Sequence, residues 1–261
     1  MRKAIIFDLD DTLLWDKKSV AESFKEACNK ANKINPKIDP IDLEESVREK
    51  ARSLYASYST YPFTQMIGIN PFEGLWGEFD DEGKAFQQLK EIAPIYRKEA
   101  WEKGLEGVGV EDRQLAIELA ETFPKVRKKK PFVFEDTFDV LDALANDFKL
   151  ALLTNGSPDL QHTKLEMTPK LKDYFEEIVV SGDFGSGKPD PAIFQYTLEK
   201  LDVKEEEAIM VGDNLHTDIL GASRSGIDSV WINRQDLQTN GLPTFEVESL
   251  TELLSLINQH V

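Results

Sequence analysis

One cysteine, no long apolar run and a shortage of positive charge limit what this 261-residue chain can be. Cys28 alone cannot form an intrachain disulfide, and a chain without disulfides suits a reducing compartment. It lies at helical spacing from Phe24 and Ala31 with no histidine near it in sequence, so it reads as a small core residue rather than a reactive thiol. No apolar stretch approaches the roughly 20 residues of a membrane-spanning helix. The start MRKAIIFDLD is apolar only from Ala4 to Phe7 before Asp8 intervenes, too little for an export signal. A cytoplasmic protein with no membrane partner is expected. Lys and Arg number 31 against 48 Asp and Glu, a net charge of -17. That field repels nucleic-acid backbones and anionic lipid, so nucleic acid is not expected as a partner. It also repels small phosphorylated molecules, unless lysine or a bound metal reverses it inside one cleft. Internal repeats and low-complexity tracts are absent too.

What is present divides by periodicity. Short, almost wholly apolar runs at 4–7, 150–153, 178–180, 208–211 and 229–232 have the character of parallel strands covered on both faces. Amphipathic segments alternate with the later ones, which predicts an α/β fold with a doubly wound parallel sheet. Ser157-Pro158 and Asp190-Pro191 each place a capping side chain before a proline at a helix start, and Gly226 closes a helix over 217–225. Residues 16–130 differ: Val20, Phe24, Cys28, Ala31 and Ile34 recur at helical spacing, as do Leu115, Leu119, Phe123 and Val126. An inserted all-helical domain over 16–130 is expected, with 1–15 and 131–261 forming the α/β core. Pro40, Pro62, Pro71, Pro94 and Pro124 would cut or kink the run into four or five helices. Trp76, Phe79, Phe86, Tyr96 and Trp101 are expected in the core of that domain. Lys125, Arg127, Lys128, Lys129 and Lys130 are expected to stay solvated near a helix C-terminus.

The residues after the strands carry the chemistry. Asp8-Leu9-Asp10-Asp11-Thr12 follows the first, Thr154-Asn155-Gly156 the second and Gly212-Asp213-Asn214 the fourth, while Lys188 lies in the loop after the third. In an open parallel sheet these loops converge on the carboxyl edge. Asp8 and Asp10, two apart in an extended segment, crowd two carboxylates into one place, which a cation relieves. Magnesium favours a few carboxylate oxygens with substrate phosphate and water, and Asp213 adds another carboxylate. Lys188 supplies the local positive charge that the composition demands. For Asp11, Asp16, Asp183 and Asp190 a turn or cap role suffices. A carboxylate placed directly after a buried strand, as Asp8 and Asp213 are, has no folding benefit to match its desolvation cost.

The set Asp8-x-Asp10-x-Thr12, Thr154-Asn155-Gly156, Lys188 and Gly212-Asp213-x-x-x-x-Asp218 resembles the four-motif signature of the haloacid dehalogenase superfamily, in the family's order and with the phrases GKPDPAIF and VGDNLHTDILGA. The helical insertion after the first motif is similar to that superfamily's type 1 cap. The resemblance implies a Rossmann-like core and a Mg2+-dependent phosphatase acting on a small phosphorylated metabolite. It implies Asp8 as nucleophile, forming an aspartyl-phosphate, and Asp10 as general acid and then base. Thr154 and the backbone N–H of Asn155 would hold phosphoryl oxygens, and Lys188 would neutralise charge. Asp8, Asp10 and Asp213 would form the metal site, Asp218 would act from behind, through water or by orienting Lys188, and Thr12 would support the turn.

Asp10 argues against dehalogenation, because halide leaves without a proton and an alkoxide does not. A phosphonatase would need an amine and would lack Asp10 in this role. A phosphomutase of the β-phosphoglucomutase kind keeps both aspartates and differs in passing phosphate to a sugar instead of water. A receiver-type signalling domain is far shorter and has no such insertion, and a catalytically retired binding protein is the remaining alternative. Lys17, Lys18, Arg97 and His216 are weaker candidates for approaching substrate, on charge or position alone. The sequence leaves the ester and the oligomeric state open.

Overall fold

Each of the five apolar runs forms a strand in the computed structural model, which describes residues 2–260. They are β1 (Ala4–Phe7), β2 (Lys149–Thr154), β3 (Glu177–Val180), β4 (Ala208–Gly212) and β5 (Asp228–Ile232), and a sixth, β6 (Phe245–Val247), joins them. All pair in parallel in the order β3-β2-β1-β4-β5-β6. β6 escapes a search for apolar runs because it is a three-residue edge strand with only Val247 buried. β1 lies between β2 and β4, with Phe7 level with Leu152 on one side and Val211 on the other. The chain moves outward from β1 in one direction through β2 and in the other through β4. The carboxyl end of β1 is therefore the switch point where such sheets bind ligands. Ala4, Ile6, Ala151, Leu153 and Met210 point to one face and pack with Ile193, Phe194, Leu198 and Leu201 of the helix Pro191–Leu201. Ile5, Phe7, Leu150 and Leu152 alternate to the other face and are equally buried.

The described chain separates into two compact units. One holds the residues up to Trp15, Val133–Gly156 and those from Thr168 onward; the other holds Asp16–Phe132 with Ser157–Met167. The second unit is helical, and Phe24, Trp76, Phe79, Phe86, Tyr96, Trp101 and Phe123 all lie in its core. Phe24 sits 4.6 Å from Phe123 and 5.9 Å from Trp101, ring centre to ring centre. Cys28 is buried among them, and burial pushes its thiol up to about 12. Six helices are described between residues 16 and 127. Pro40, Pro62 and Pro71 occupy first turns as proline prefers, whereas Pro94 and Pro124 lie inside the helices Lys84–Gly107 and Arg113–Arg127. Packing of the apolar face outweighs the hydrogen bond each of these two gives up.

Two local expectations are corrected. Arg127 is not solvated like Lys125 and Lys128: it is 2% exposed, pairs with Asp16 and lays its guanidinium 4.5 Å from the Trp76 ring centre. Arginine tolerates this burial because its planar group is weakly hydrated and stacks on aromatic faces. The helix Pro158–Glu166, which sequence order places in the 131–261 core, groups with the helical unit instead. Leu160 enters the helical unit's core, the Lys164 ammonium meets Glu73 Oε1 at 2.8 Å with both side chains buried, and Asp81 accepts from Ser157 Oγ at 2.5 Å and from the Asp159 N–H at 2.6 Å. Ser157 and Asp190 cap their helices by accepting from the N–H groups of Leu160 and Ala192.

Removing one partner of the Lys164–Glu73 pair leaves an uncompensated charge in the helical core. Glu73→Ala should therefore destabilise the protein by about 3 kcal/mol, seen as a lower urea midpoint, and adding Lys164→Met should recover most of the loss. An unchanged midpoint in Glu73→Ala would show that the pair anchors nothing.

Candidate active site

Asp8 stands one residue beyond β1, and its N–H donates to the Val211 carbonyl at 2.9 Å, continuing the pairing with β4. The chain then turns tightly: the N–H groups of Leu13 and Leu14 both donate to the Leu9 carbonyl, at 3.0 and 2.9 Å. Asp11 takes a φ of 64°, a left-handed conformation that aspartate tolerates better than most residues. The turn carries Thr12 back under Asp8, where its fully buried hydroxyl donates to Asp8 Oδ2 at 3.0 Å. Thr12 thus holds the aspartate itself, more than the turn support expected of it.

Lys188 approaches from the other side, its ammonium buried and all three N–H groups engaged. It donates to Asp8 Oδ1 at 2.7 Å and to the Leu153 carbonyl at 2.6 Å, and it pairs with Asp218 Oδ1 at 2.8 Å. Its backbone is gripped by the Asn155 side chain, which accepts from the Lys188 N–H at 2.8 Å and donates to the Lys188 carbonyl at 2.9 Å. Only glycine fits before this lysine, because a Cβ at Gly187 would lie 2.7 Å from Asn155 Oδ1. This clamp went unforeseen; the glycine ahead of the lysine is the one trace of it in the sequence. Thr154, buried at the end of β2, lies level with Val180. Ser181, also missed, fastens the following loop: its Oγ accepts from the Gly156 N–H at 2.8 Å.

The third approach comes from β4. Asp213 follows Gly212, and its carbonyl accepts from Trp231 Nε1 at 2.9 Å. The expected helix over 217–225 starts as a single π-turn, Leu215–Ile219, that runs into Leu220–Arg224 and closes at Gly226 with φ +70°. That wider turn brings buried Asp218 back against the strand end, where its Oδ2 accepts from the Asn214 N–H at 3.0 Å. A Cβ at Gly212 would lie 2.3 Å from Asp218 Oδ2, so this contact requires glycine.

Carboxylate oxygens of Asp8, Asp213 and Asp218 lie within 4.8 Å of one another. The side chain of Asp10 is not in that trio, although its charge acts on Asp8. Burial pushes the Asp8 carboxyl up to about 7 against the pull of Lys188, and Asp218 and Asp10 add to the rise. Burial also raises Asp218, helped by Asp213 and opposed by Lys188. For Lys188 burial works downward, but Asp218 and Asp8 outweigh it and hold the ammonium charged. Asp8 and Asp218 share Lys188 between them, and with Asp213 beside them and the charge of Asp10 acting on Asp8 there is negative charge to spare. An all-oxygen donor set with excess negative charge fits a hard divalent cation. Of the weaker candidates, Arg97 is tied to the carbonyls of Gly74 and Gly77, Lys18 lies 4.7 Å from the Phe132 ring centre, and His216 is exposed beside its Asn214 cap.

A doubly wound parallel sheet with an aspartate-lysine cluster at its switch point defines an α/β protein of the kind that handles anionic groups. The family model of haloacid dehalogenase-like hydrolases matches residues 2–226, and the chain belongs to that family. The phosphoserine phosphatase of Thermus thermophilus is 34% identical over 235 residues, 89% of each chain. The glyceraldehyde 3-phosphate phosphatase of Pyrococcus furiosus is 34% identical over 269 residues, 98% of this chain and 93% of that one. Among solved structures, the HAD-hydrolase YfnB of Bacillus subtilis, bound to magnesium, shares the fold with a TM-score of 0.67 at 22% identity, over 98% of this chain and 99% of that one. The protein is a hydrolase acting on phosphate esters, and among the described residues no helix is long and apolar enough to cross a membrane.

The fit between Gly212 and Asp218 makes a direct prediction. Gly212→Ala should drive the Asp218 carboxylate away from Lys188 and lower phosphatase activity about 10- to 100-fold, the usual cost of losing an outer partner of a site. Full activity in that variant would show that Asp218 is dispensable where it stands.

Proposed function

We propose that this protein is a Mg2+-dependent phosphatase that hydrolyses a small phosphorylated metabolite through an aspartyl-phosphate on Asp8. The observation that carries the reading is the two-sided grip on the Asp8 carboxylate. With Oδ2 on Thr12 and Oδ1 on Lys188, the carboxylate is fixed at a strand end and kept from turning away. A fixed carboxylate of this kind is suited to in-line attack on phosphorus. In the first step an Asp8 oxygen bonds to phosphorus as the ester P–O bond breaks, and the Asp10 carboxyl gives its proton to the departing alkoxide. In the second, Asp10 takes a proton from water as that water attacks phosphorus, releasing phosphate and restoring Asp8. The hydroxyl of Thr154 and the N–H of Asn155 hold phosphoryl oxygens, and Lys188 balances charge on Asp8 and the transferred group.

Asp8 and Asp213 would hold the metal, with Asp10 adding its charge nearby; Asp218, occupied by Lys188 and the Asn214 N–H, would act from behind. Bound there, Mg2+ supplies a counter-charge to the phosphoryl oxygens. A narrower reading of the ester is supported by two relatives named for phosphates of three-carbon compounds, phosphoserine and glyceraldehyde 3-phosphate. Both are monoesters of a primary alcohol, and this is the substrate class proposed.

The test is phosphate release from a panel of metabolite monoesters that includes these two, with and without Mg2+, beside Asp8→Asn. Activity should vanish with EDTA, return with Mg2+ and fall about a thousandfold or more in Asp8→Asn. Equal rates in the variant and the wild type would refute the aspartyl-phosphate, and transfer to a sugar in preference to water would make the protein a mutase.

A further inference from the structure

We propose that Arg234 is a positioning residue for Asp8, acting through Thr12; this rests on Asp8 being the nucleophile. Arg234 lies two residues beyond β5, at the same carboxyl edge of the sheet as the loops already described. Its Nη2 donates to the Thr12 carbonyl at 3.1 Å, and the Thr12 hydroxyl donates to Asp8 Oδ2 at 3.0 Å. One residue therefore receives the guanidinium on its backbone and delivers its side chain to the aspartate.

The surroundings make this contact a fixed one. The guanidinium carbon sits 3.7 Å from the Phe134 ring centre, and Phe134 in turn stacks on Trp15 at 5.2 Å and 17°. The base from which Arg234 extends is rigid too. Asn233 donates its N–H to the Val247 carbonyl at 2.8 Å, and its side chain donates to Glu246 Oε1 at 2.6 Å and to the Leu237 carbonyl at 2.9 Å. The next carbonyls of the turn are held as well. Leu13 O accepts from the Phe134 N–H at 3.2 Å and the Thr137 hydroxyl at 3.0 Å, and Leu14 O accepts from the Asp11 N–H at 2.6 Å. Arg234 thus completes a row of donors across carbonyls 12, 13 and 14. Losing it frees the peptide whose residue aims a hydroxyl at Asp8.

Only a guanidinium does this work. Its flat face lies on Phe134 while an N–H at its edge reaches the carbonyl; a lysine ammonium has no flat face and cannot do both. Burial pulls the Arg234 guanidinium down, and the charges of Asp136, Asp213 and Asp11 act against that pull, Asp213 being the one it shares with the acidic cluster.

The experiment is a double-mutant cycle. Arg234→Lys, Thr12→Val and the double variant are compared in kcat, KM and melting temperature on the ester hydrolysed fastest in the panel, with Asp8→Asn alongside. Each single variant should lower kcat about tenfold with KM and melting temperature nearly unchanged. The double variant should be no slower than the slower single one, because both changes act on one Asp8 oxygen. Should the lysine variant fail to fold, Arg234→Met keeps the apolar stem over Phe134 and takes its place. Wild-type kcat at position 234, or losses that multiply in the double variant, would overturn the proposal while an inactive Asp8→Asn leaves the nucleophile standing. An active Asp8→Asn would instead remove the nucleophile on which the proposal rests.

Discussion

An ammonium taken out of water costs several kcal/mol unless every N–H finds an acceptor, and the buried Lys188 meets that condition with Asp8, Asp218 and the Leu153 carbonyl. Much of the site's local architecture follows from assembling those three acceptors around one nitrogen. Leu153 is supplied by the sheet itself. Asp8 is supplied by a turn that folds Thr12 beneath it, and Asp218 by a π-turn that reaches back over a glycine. The lysine's own backbone is fixed by Asn155, whose side chain fits only because residue 187 has no Cβ.

The same ion cluster shows how a chain of net charge -17 can attract phosphate to one spot. Asp8, Asp10, Asp213 and Asp218 leave negative charge in excess of what Lys188 offsets, and a buried excess of this kind is relieved by a divalent cation. Buried ion pairs in the helical unit have a different balance. Lys164 faces Glu73 and Arg127 faces Asp16, one charge against one. There burial of charge ties helices together, whereas at the sheet edge it leaves chemistry to be done.

The family and the parallel sheet were legible before any coordinates, because both are written in short local patterns. Fully buried parallel strands are continuous apolar runs, and motif loops sit directly after them. β6 was not legible, being three residues long at an edge, and the helix Pro158–Glu166 could not be allotted to its unit by order along the chain. Arg127 reads as one more basic residue in a solvated stretch, since the Trp76 face that receives it is 51 residues away in sequence.

The sequence by itself determined which residue types stand at the strand ends and in the segments that follow them: a carboxylate at Asp8, a hydroxyl at Thr154, an ammonium at Lys188 and carboxylates at Asp213 and Asp218. These follow from hydrophobic runs and spacing, which are local. Only the tertiary structure decided whose atoms meet: Thr12 on Asp8, Asn155 on the backbone of Lys188, Asp218 on its ammonium and Arg234 on the Thr12 carbonyl. Such pairings depend on register between β1, β2 and β4 and on the hand of two tight turns, and no single stretch of sequence contains that information.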